Sequence, residues 1–170
     1  ILKNAKRPVI YAGQGVHYAK AWDELKLLAE RLQIPVTTSL EGKSAFPENH
    51  PLSLGTAGRA LPRQVRHFLE ESDVILGIGC SFALTAFGTA MPKNKTIIHA
   101  TLDSMDINKD IQVEYPLVGD AKLTLQALLS ELPESAIAGY DVEAEIKATN
   151  KAWMAEWMPR LTSEETPISP

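Results

Sequence analysis

The residues of this chain whose types and spacing could do chemistry are glycines and small polar groups, which hold ligands, rather than paired acids, bases or nucleophiles, which transform them. Gly13-Gln14-Gly15 closes the run RPVIYA. A turn of this kind lets bare backbone approach a ligand and aims a helix N-terminus at it, as dinucleotide sites do. Tyr18 stands where a G-x-G-x-x-G turn has its third glycine, so a plain strand-to-helix turn fits the same residues equally well. Gly55 and Gly58 in LGTAG read two ways: a flat backbone surface for an adenine or phosphate, or positive φ angles in an irregular loop. Gly77 and Gly79 end the apolar run DVILGIG at the strand end that faces ligands in doubly wound sheets, and Gly79 is the better placed. Asp103 and Asp106, after TIIHA, could hold a ribose hydroxyl or cap a turn at Ser104–Asn108.

Groups that would do covalent or metal chemistry are scarce. The single cysteine, Cys80, sits inside an apolar run with no base nearby in sequence, which favours a buried hydrophobe over a nucleophile. His17, His50, His67 and His99 are scattered, with none in H-x-x-x-H or HExxH spacing, so no metal site is expected. Ser39, Ser44 and Ser81 lack a G-x-S-x-G context, and there is no P-loop. No catalytic residue is assigned. The net charge of −4 and pI of 5.6, without a basic stripe, argue against nucleic acid. No apolar run reaches the ~18 residues of a membrane span, and the start shows no signal-like core. With one cysteine, a cytoplasmic protein is expected.

The elements that must position these groups follow from periodicity. Pro8–Ala12 predicts a strand, Leu25, Leu28, Ala29 and Leu32 a helix, and Val36–Ser39 a second strand. Ile34–Gly58 then predicts a strand running into a polar loop long enough to serve a ligand or partner. Val65, Phe68 and Leu69 predict a helix, and Asp73–Gly79 and Thr96–Ala100 predict strands buried on both faces. Tyr115–Val118 predicts a short edge strand, and Gly119-Asp120 the turn and N-cap of a helix carrying Leu123, Leu125, Leu128 and Leu129. This alternation predicts a single α/β domain, a Rossmann-like, doubly wound parallel sheet with helices on both faces, in a chain of 170 residues that is 45% hydrophobic. Pro133–Gly139 marks a boundary. Beyond it Val142, Ile146, Trp153 and Trp157 share one face of a final helix, the Trp pair packing on this domain or a neighbour, and Glu165–Pro170 has linker composition. The start at Ile1 and the close at TPISP predict a piece of a longer protein.

Taken in order, RPVIYAGQG, IPVTTSLEGKSAFPENHPLSLG, ESDVILGIG, IIHATLDSMDINKD and LVGDAKLTLQALL resemble the central domain of thiamine-diphosphate-dependent enzymes of the acetolactate synthase and 2-keto acid decarboxylase group. The match covers residues 1–132, leaving 133–170 as a helix and linker towards an absent diphosphate-binding domain. The resemblance implies a three-domain parent that makes or cleaves carbon–carbon bonds of 2-keto acids. Its thiamine diphosphate and Mg2+ are held by flanking domains, its sites form between subunits of a homo-oligomer, and this fragment alone is inactive. It also implies a crevice for FAD, or for ADP in some relatives, touched here by Gly13, Gly15, Ser39, Leu40, Gly55, Gly58, Gly79 and Asp103.

Flavin-binding relatives carry arginines where this chain has Ser81 and Thr85, an H-G pair where it has Ala60-Leu61, and an Asp where it has Thr101. Two lost guanidiniums remove the charge-assisted donors best suited to a diphosphate, with Arg59 and Arg63 the nearest replacements. The sequence thus predicts a structural and subunit-contact domain with a vestigial FAD/ADP crevice. The alternatives are a genuine FAD- or ADP-binding module and, further off, an NAD-dependent Rossmann-like oxidoreductase or deacylase.

Overall fold

Six strands, all pairing in parallel, form one sheet in the order β3-β2-β1-β4-β5-β6 in a computed structural model that describes residues 1–132, 135 and 139–166. They are β1 (Pro8–Ala12), β2 (Val36–Thr38), β3 (Ser53–Thr56), β4 (Val74–Ile78), β5 (Thr96–Thr101) and β6 (Tyr115–Val118). β1 and β4 are central, and every residue of both is buried, so their continuous apolar runs lack the alternation of a half-exposed strand. Pro8 opens β1, where a missing N–H is tolerated.

The chain runs outward through β1, β2 and β3, then returns to lay β4 on the other side of β1. Right-handed crossovers in opposite directions put the connecting helices on opposite faces. On one face α2 (Trp22–Leu32), preceded by the single turn α1 (Gly15–Tyr18), contacts α4 (Ala121–Glu131); on the other α3 (Arg63–Glu71) contacts α5 (Val142–Leu161). Each helix buries the apolar stripe expected of it: Leu25, Leu28, Ala29 and Leu32 on α2, and Val65, Phe68 and Leu69 on α3. The reversal between β1 and β4 opens a crevice beyond the carboxyl ends of those strands.

One sequence expectation needs correction. The segment Ile34–Gly58 is a strand, a shorter loop and a second strand, because Ser53–Thr56 pairs with β2 at the sheet edge. The pairing slips between Val36 and Thr37, and Gly55 takes φ +87° at that irregularity, with its carbonyl accepting from Thr37 Oγ1 at 2.9 Å. The bulge therefore explains this glycine. On α4, Leu125 is fully buried while Leu123 points outward.

On α5, Val142 and Ile146 join the main core, whereas the Trp153 and Trp157 rings stay half-buried and lie 6.4 Å apart. The predicted boundary Pro133–Gly139 and the linker Glu165–Pro170 lie mostly outside the described residues. Asp141 and Asp120 cap α5 and α4, accepting from the Ala144 N–H and from the Lys122 and Leu123 N–H groups respectively.

Candidate functional site

The switch-point crevice has a volume of about 500 Å³, within the range of small-molecule pockets. Its floor is aromatic. Tyr11, Gly77 and His99 stand side by side in register on β1, β4 and β5. The chain beyond β4 turns back at Phe82, which has left-handed backbone (φ +51°), and lays its ring over Gly77. A Cβ at position 77 would lie 2.3 Å from that ring, so only glycine leaves it room. Phe82 stacks on Tyr11 at 5.4 Å and meets His99 edge-on at 4.8 Å.

The glycines of the β1 turn serve the fold first. A Cβ on Gly13 would lie 2.3 Å from the Gly79 carbonyl oxygen, and one on Gly79 would lie 2.8 Å from the Val16 nitrogen. The turns after β1 and β4 thus interlock backbone to backbone. Four of the turn's N–H groups are spent in the process, Gly13 donating to Ile78 (2.9 Å), Gly15 to Gly79 (2.8 Å), Val16 to Gly13 (3.2 Å) and His17 to Gln14 (2.9 Å), while the N–H of Gln14, a lining residue, has no partner among the described residues. The N-terminus of α4, which also borders the crevice through Asp120 and Ala121, is filled by the Asp120 carboxylate.

Of the eight residues assigned from sequence, Gly15, Ser39, Leu40, Gly79 and Asp103 line the crevice. Gly13 lies behind the interlocked turns, Gly55 is at the β3 bulge, and Gly58 backs onto Leu40, whose Cγ would be 3.2 Å from an added Cβ. Asp103 accepts from the Met105 N–H at 2.9 Å and so caps the short turn Ser104–Asp106, while Ser39 Oγ accepts from Gly42 N–H at 3.0 Å. The wall formed by residues 81–91 is tied to its surroundings: Leu84 N–H donates to Asp110 (2.9 Å), Thr89 Oγ1 to the Gly58 carbonyl (3.0 Å), and Arg59 N–H to the Phe87 carbonyl (3.0 Å).

The electrostatics of the lining are one-sided. Glu41, Asp103, Asp106 and Asp120 face the crevice, and no Lys, Arg or His is among its lining residues. Neither proposed replacement for the missing arginines enters: Arg59 and Arg63 are outside the lining, and Arg63 pairs with Glu156 at 2.9 Å. Beside the five assigned residues, the lining takes in Tyr11, Phe82, Glu41, Asp106 and Asp120, and the polar side chains of Gln14, Tyr18, Ser81 and Thr85. The sequence marks Asp106 as a candidate ribose or turn residue and Asp120 as a cap, whereas nothing local marks Phe82 as a floor or Glu41 as rim.

Covalent chemistry finds no support in the geometry. Burial pushes the Cys80 thiol far above its ordinary range, so it stays protonated, and its carbonyl accepts from His99 Nε2 at 2.7 Å. Burial also lowers the pKa of His99, partly offset by that hydrogen bond, so the wholly buried ring is a neutral strut. His17 bridges Trp22 and the Lys43 carbonyl, His50 holds Leu52 N–H and Glu30, and His67 holds Glu145. Among the described residues no group of three or more His, Cys, Asp or Glu is placed to hold a metal ion, and no described helix is long and apolar enough to cross a membrane.

A fully parallel α/β sheet with a crevice at its switch point defines the class of Rossmann-like binding domains. Within that class the chain belongs to the family of thiamine pyrophosphate enzyme central domains, whose pattern matches residues 1–128. The chain is 38% identical over 166 residues to a protein of Methanococcus aeolicus described as a probable acetolactate synthase large subunit, covering 96% of this chain and 27% of that protein. It is 45% identical over 131 residues to the acetolactate synthase large subunit of Buchnera aphidicola subsp. Schlechtendalia chinensis, covering 76% of this chain and 23% of that one. Its backbone matches the X-ray structure of a thiamin diphosphate-dependent enzyme of Mycobacterium smegmatis with TM-score 0.64 and 27% identity, over 79% of this chain and 26% of that one. The chain therefore spans about a quarter of the length of the relatives it matches.

Proposed function

We propose that residues 1–132 are the central, non-catalytic domain of a longer thiamine-diphosphate-dependent enzyme, acetolactate synthase-like, that forms or breaks a carbon–carbon bond next to the carbonyl of a 2-keto acid. The observation that carries this reading is the likeness to an acetolactate synthase large subunit across 96% of the chain. In it, residues 133–170 lead to a diphosphate-binding domain, and a pyrimidine-binding domain precedes Ile1. Thiamine diphosphate and Mg2+ belong to those flanking domains, and the present chain alone is inactive. The parent is a cytoplasmic homo-oligomer to which this domain contributes scaffold and subunit contact, without nucleic acid or membrane.

The residues present do not fit FAD or ADP. A diphosphate needs cationic donors or several backbone N–H donors, and this crevice offers four carboxylates, no cation and a glycine turn whose N–H groups at 13, 15, 16 and 17 already have partners, leaving only Gln14 N–H. The crevice is therefore read as vestigial for those nucleotides, although its nucleotide-sized volume keeps the FAD- or ADP-binding reading testable. Mass spectrometry of the small molecules released from the purified full-length protein tests both. Thiamine diphosphate without FAD or ADP is expected. Stoichiometric FAD or ADP would overturn the vestigial reading, and no thiamine diphosphate even after adding it with magnesium would overturn the parent.

A further inference from the structure

We propose that β6 and the first turn of α4 form a self-complementary interface, on which the β6 strand of a second copy of this chain pairs antiparallel about a two-fold axis through Val118. The proposal deepens, and rests on, the reading of this domain as a contact between subunits of a homo-oligomer.

The two edges of the sheet differ. β3 carries a bulge at Gly55, a common way of blunting an edge. β6 carries neither a bulge nor a charge: Tyr115, Pro116, Leu117 and Val118 are all exposed, Val118 at 59%, and no strand among the described residues pairs with its outer side. Leu123, 66% exposed on the first turn of α4, extends the apolar surface past the strand end. A bare apolar edge of this kind is a template for another chain.

The pattern of donors and acceptors on the edge selects the chain that fits it. Gly119 N–H donates to the Thr101 carbonyl at 2.9 Å, and Thr101 is in register with Val118. Residues 115, 117 and 119 therefore turn their polar backbone towards β5, while Pro116, Val118 and Asp120 turn theirs outward. Asp120 is extended (φ −62°, ψ 138°) and continues the strand, and its N–H has no partner among the described residues. In an antiparallel pair about Val118, the Val118 residues of the two copies exchange N–H···O bonds, and each Asp120 N–H reaches the partner's Pro116 carbonyl. The N–H that Pro116 lacks falls opposite the partner's Asp120 carbonyl, which already accepts from Thr124 N–H at 2.9 Å, so the missing donor leaves nothing unpaired. A strand of an unrelated protein would set an unused carbonyl against Pro116. The same axis brings Lys122 towards the partner's Glu114, an exposed residue of opposite charge.

Sedimentation velocity of the purified chain is the test. An 18.6 kDa monomer is expected to pass into a species of twice that mass as concentration rises. Val118→Lys sets two like charges on the axis at an exposed position, and Val118→Pro removes the outward N–H while leaving β6 its donors to β5. Each should weaken the dimer at least about tenfold, with the circular-dichroism spectrum unchanged. Leu161→Lys, at an exposed apolar residue of α5, should leave the dimer intact. A short bis-maleimide should join two copies of Val118→Cys and leave the unaltered chain unlinked, because its single cysteine, Cys80, is buried. A chain that stays monomeric up to millimolar concentration would overturn the proposal, as would a dimer that withstands both Val118→Lys and Val118→Pro or one in which Val118→Cys does not cross-link. The thiamine diphosphate content of the full-length protein tests the parent separately: its absence leaves the sedimentation of this chain unaltered, and a monomeric chain leaves the parent assignment standing.

Discussion

The two ends of the sheet solve the same problem, fixing β1 against β4, with opposite chemistry. At the amino end, Asp73 accepts from the Lys6 and Arg7 N–H groups at 2.7 and 2.9 Å. Arg7 Nη2 and His67 Nε2 both reach Glu145 Oε1 at 2.6 Å, and the Arg7 guanidinium lies 4.4 Å from the centre of the Tyr140 ring. At the carboxyl end the strands are joined by backbone, through the interlocked turns at Gly13, Gly15 and Gly79, and the charges there meet no cation of the lining. Charges partnered across elements act on the fold, pinning α5 to α3 and β1. Those around the crevice are held by local turns and caps, Asp103 by Met105 N–H, Asp120 by Lys122 and Leu123 N–H, and Asp106 by Thr101 and Lys109, so they shape the rim and do not join strands.

Breaking the carboxyl end should have the largest effect. Gly13→Ala would place a Cβ 2.3 Å from a carbonyl oxygen and 2.5 Å from the Cys80 Cα, both backbone atoms that cannot swing away. A loss of about 3 kcal/mol is expected from such overpacking. Gly119→Ala, whose Cβ would meet only Thr124 Oγ1 at 3.5 Å, should change stability far less. Urea unfolding midpoints compare the two, and equal midpoints would mean that the turns are not interlocked as described.

Breaking the amino end should cost less. Glu145→Ala leaves the Arg7 head group without its acceptor at a site where both side chains are about a quarter exposed, so about 1–2 kcal/mol is expected after solvent screening. Release of α5 should also red-shift emission from Trp153 and Trp157 before the sheet unfolds. Coincident fluorescence and circular-dichroism transitions would show instead that α5 is held independently of this cluster.

The same cluster gives a pH dependence whose sign follows from Glu145. Burial alone would raise its carboxyl, but hydrogen bonds from Arg7 and His67 outweigh burial and hold it below the ordinary carboxylate range. The folded state therefore binds that proton less readily than the unfolded chain. Its contribution is fully present above about pH 4.5 and is lost as pH falls through the lowered value. Acid titration of stability should show a shallower decline in Glu145→Gln than in the unaltered chain; parallel curves would assign the acid sensitivity to other carboxylates.

Much of this contrast was legible in the sequence at the level of elements and not of contacts. Continuous apolar runs announced β1, β4 and β5, because strands buried on both faces need no alternation. Ser53–Thr56 escaped because a four-residue edge strand with a bulge glycine has loop composition, and only its partner β2 makes it a strand. The glycines at 13, 15 and 79 are visible as ligand-turn residues, yet Gly13 and Gly15 press on Gly79, and Gly79 on Val16 and Gly15, across more than sixty positions of chain. The lining charge was hidden for the same reason: four acids from three separate stretches become one field only when the sheet gathers them. Arg7, His67 and Glu145 carry no mutual signal in sequence, since local spacing says nothing about pairs 138 and 78 residues apart.

The sharpest use of the comparison is also its smallest predicted effect. Arg63 and Glu156 form a second bridge between α3 and α5, at 2.9 Å, and geometry alone would rank it close to the Arg7–Glu145 pair at 2.6 Å. Exposure separates them: the Arg63 and Glu156 side chains are 52% and 60% exposed, against 28% and 25% for Arg7 and Glu145. Water screens the outer pair and already hydrates both of its heads, so ordering two long side chains offsets most of the attraction. A double-mutant cycle with Arg63→Ala and Glu156→Ala should give a coupling within about 0.5 kcal/mol. The cycle on Arg7 and Glu145 should exceed it and resist added salt, because a half-buried pair is screened less. Equal couplings would mean that burial does not set the strength of the bridges that hold α5, and the contrast between the two ends of the sheet would lose its electrostatic basis.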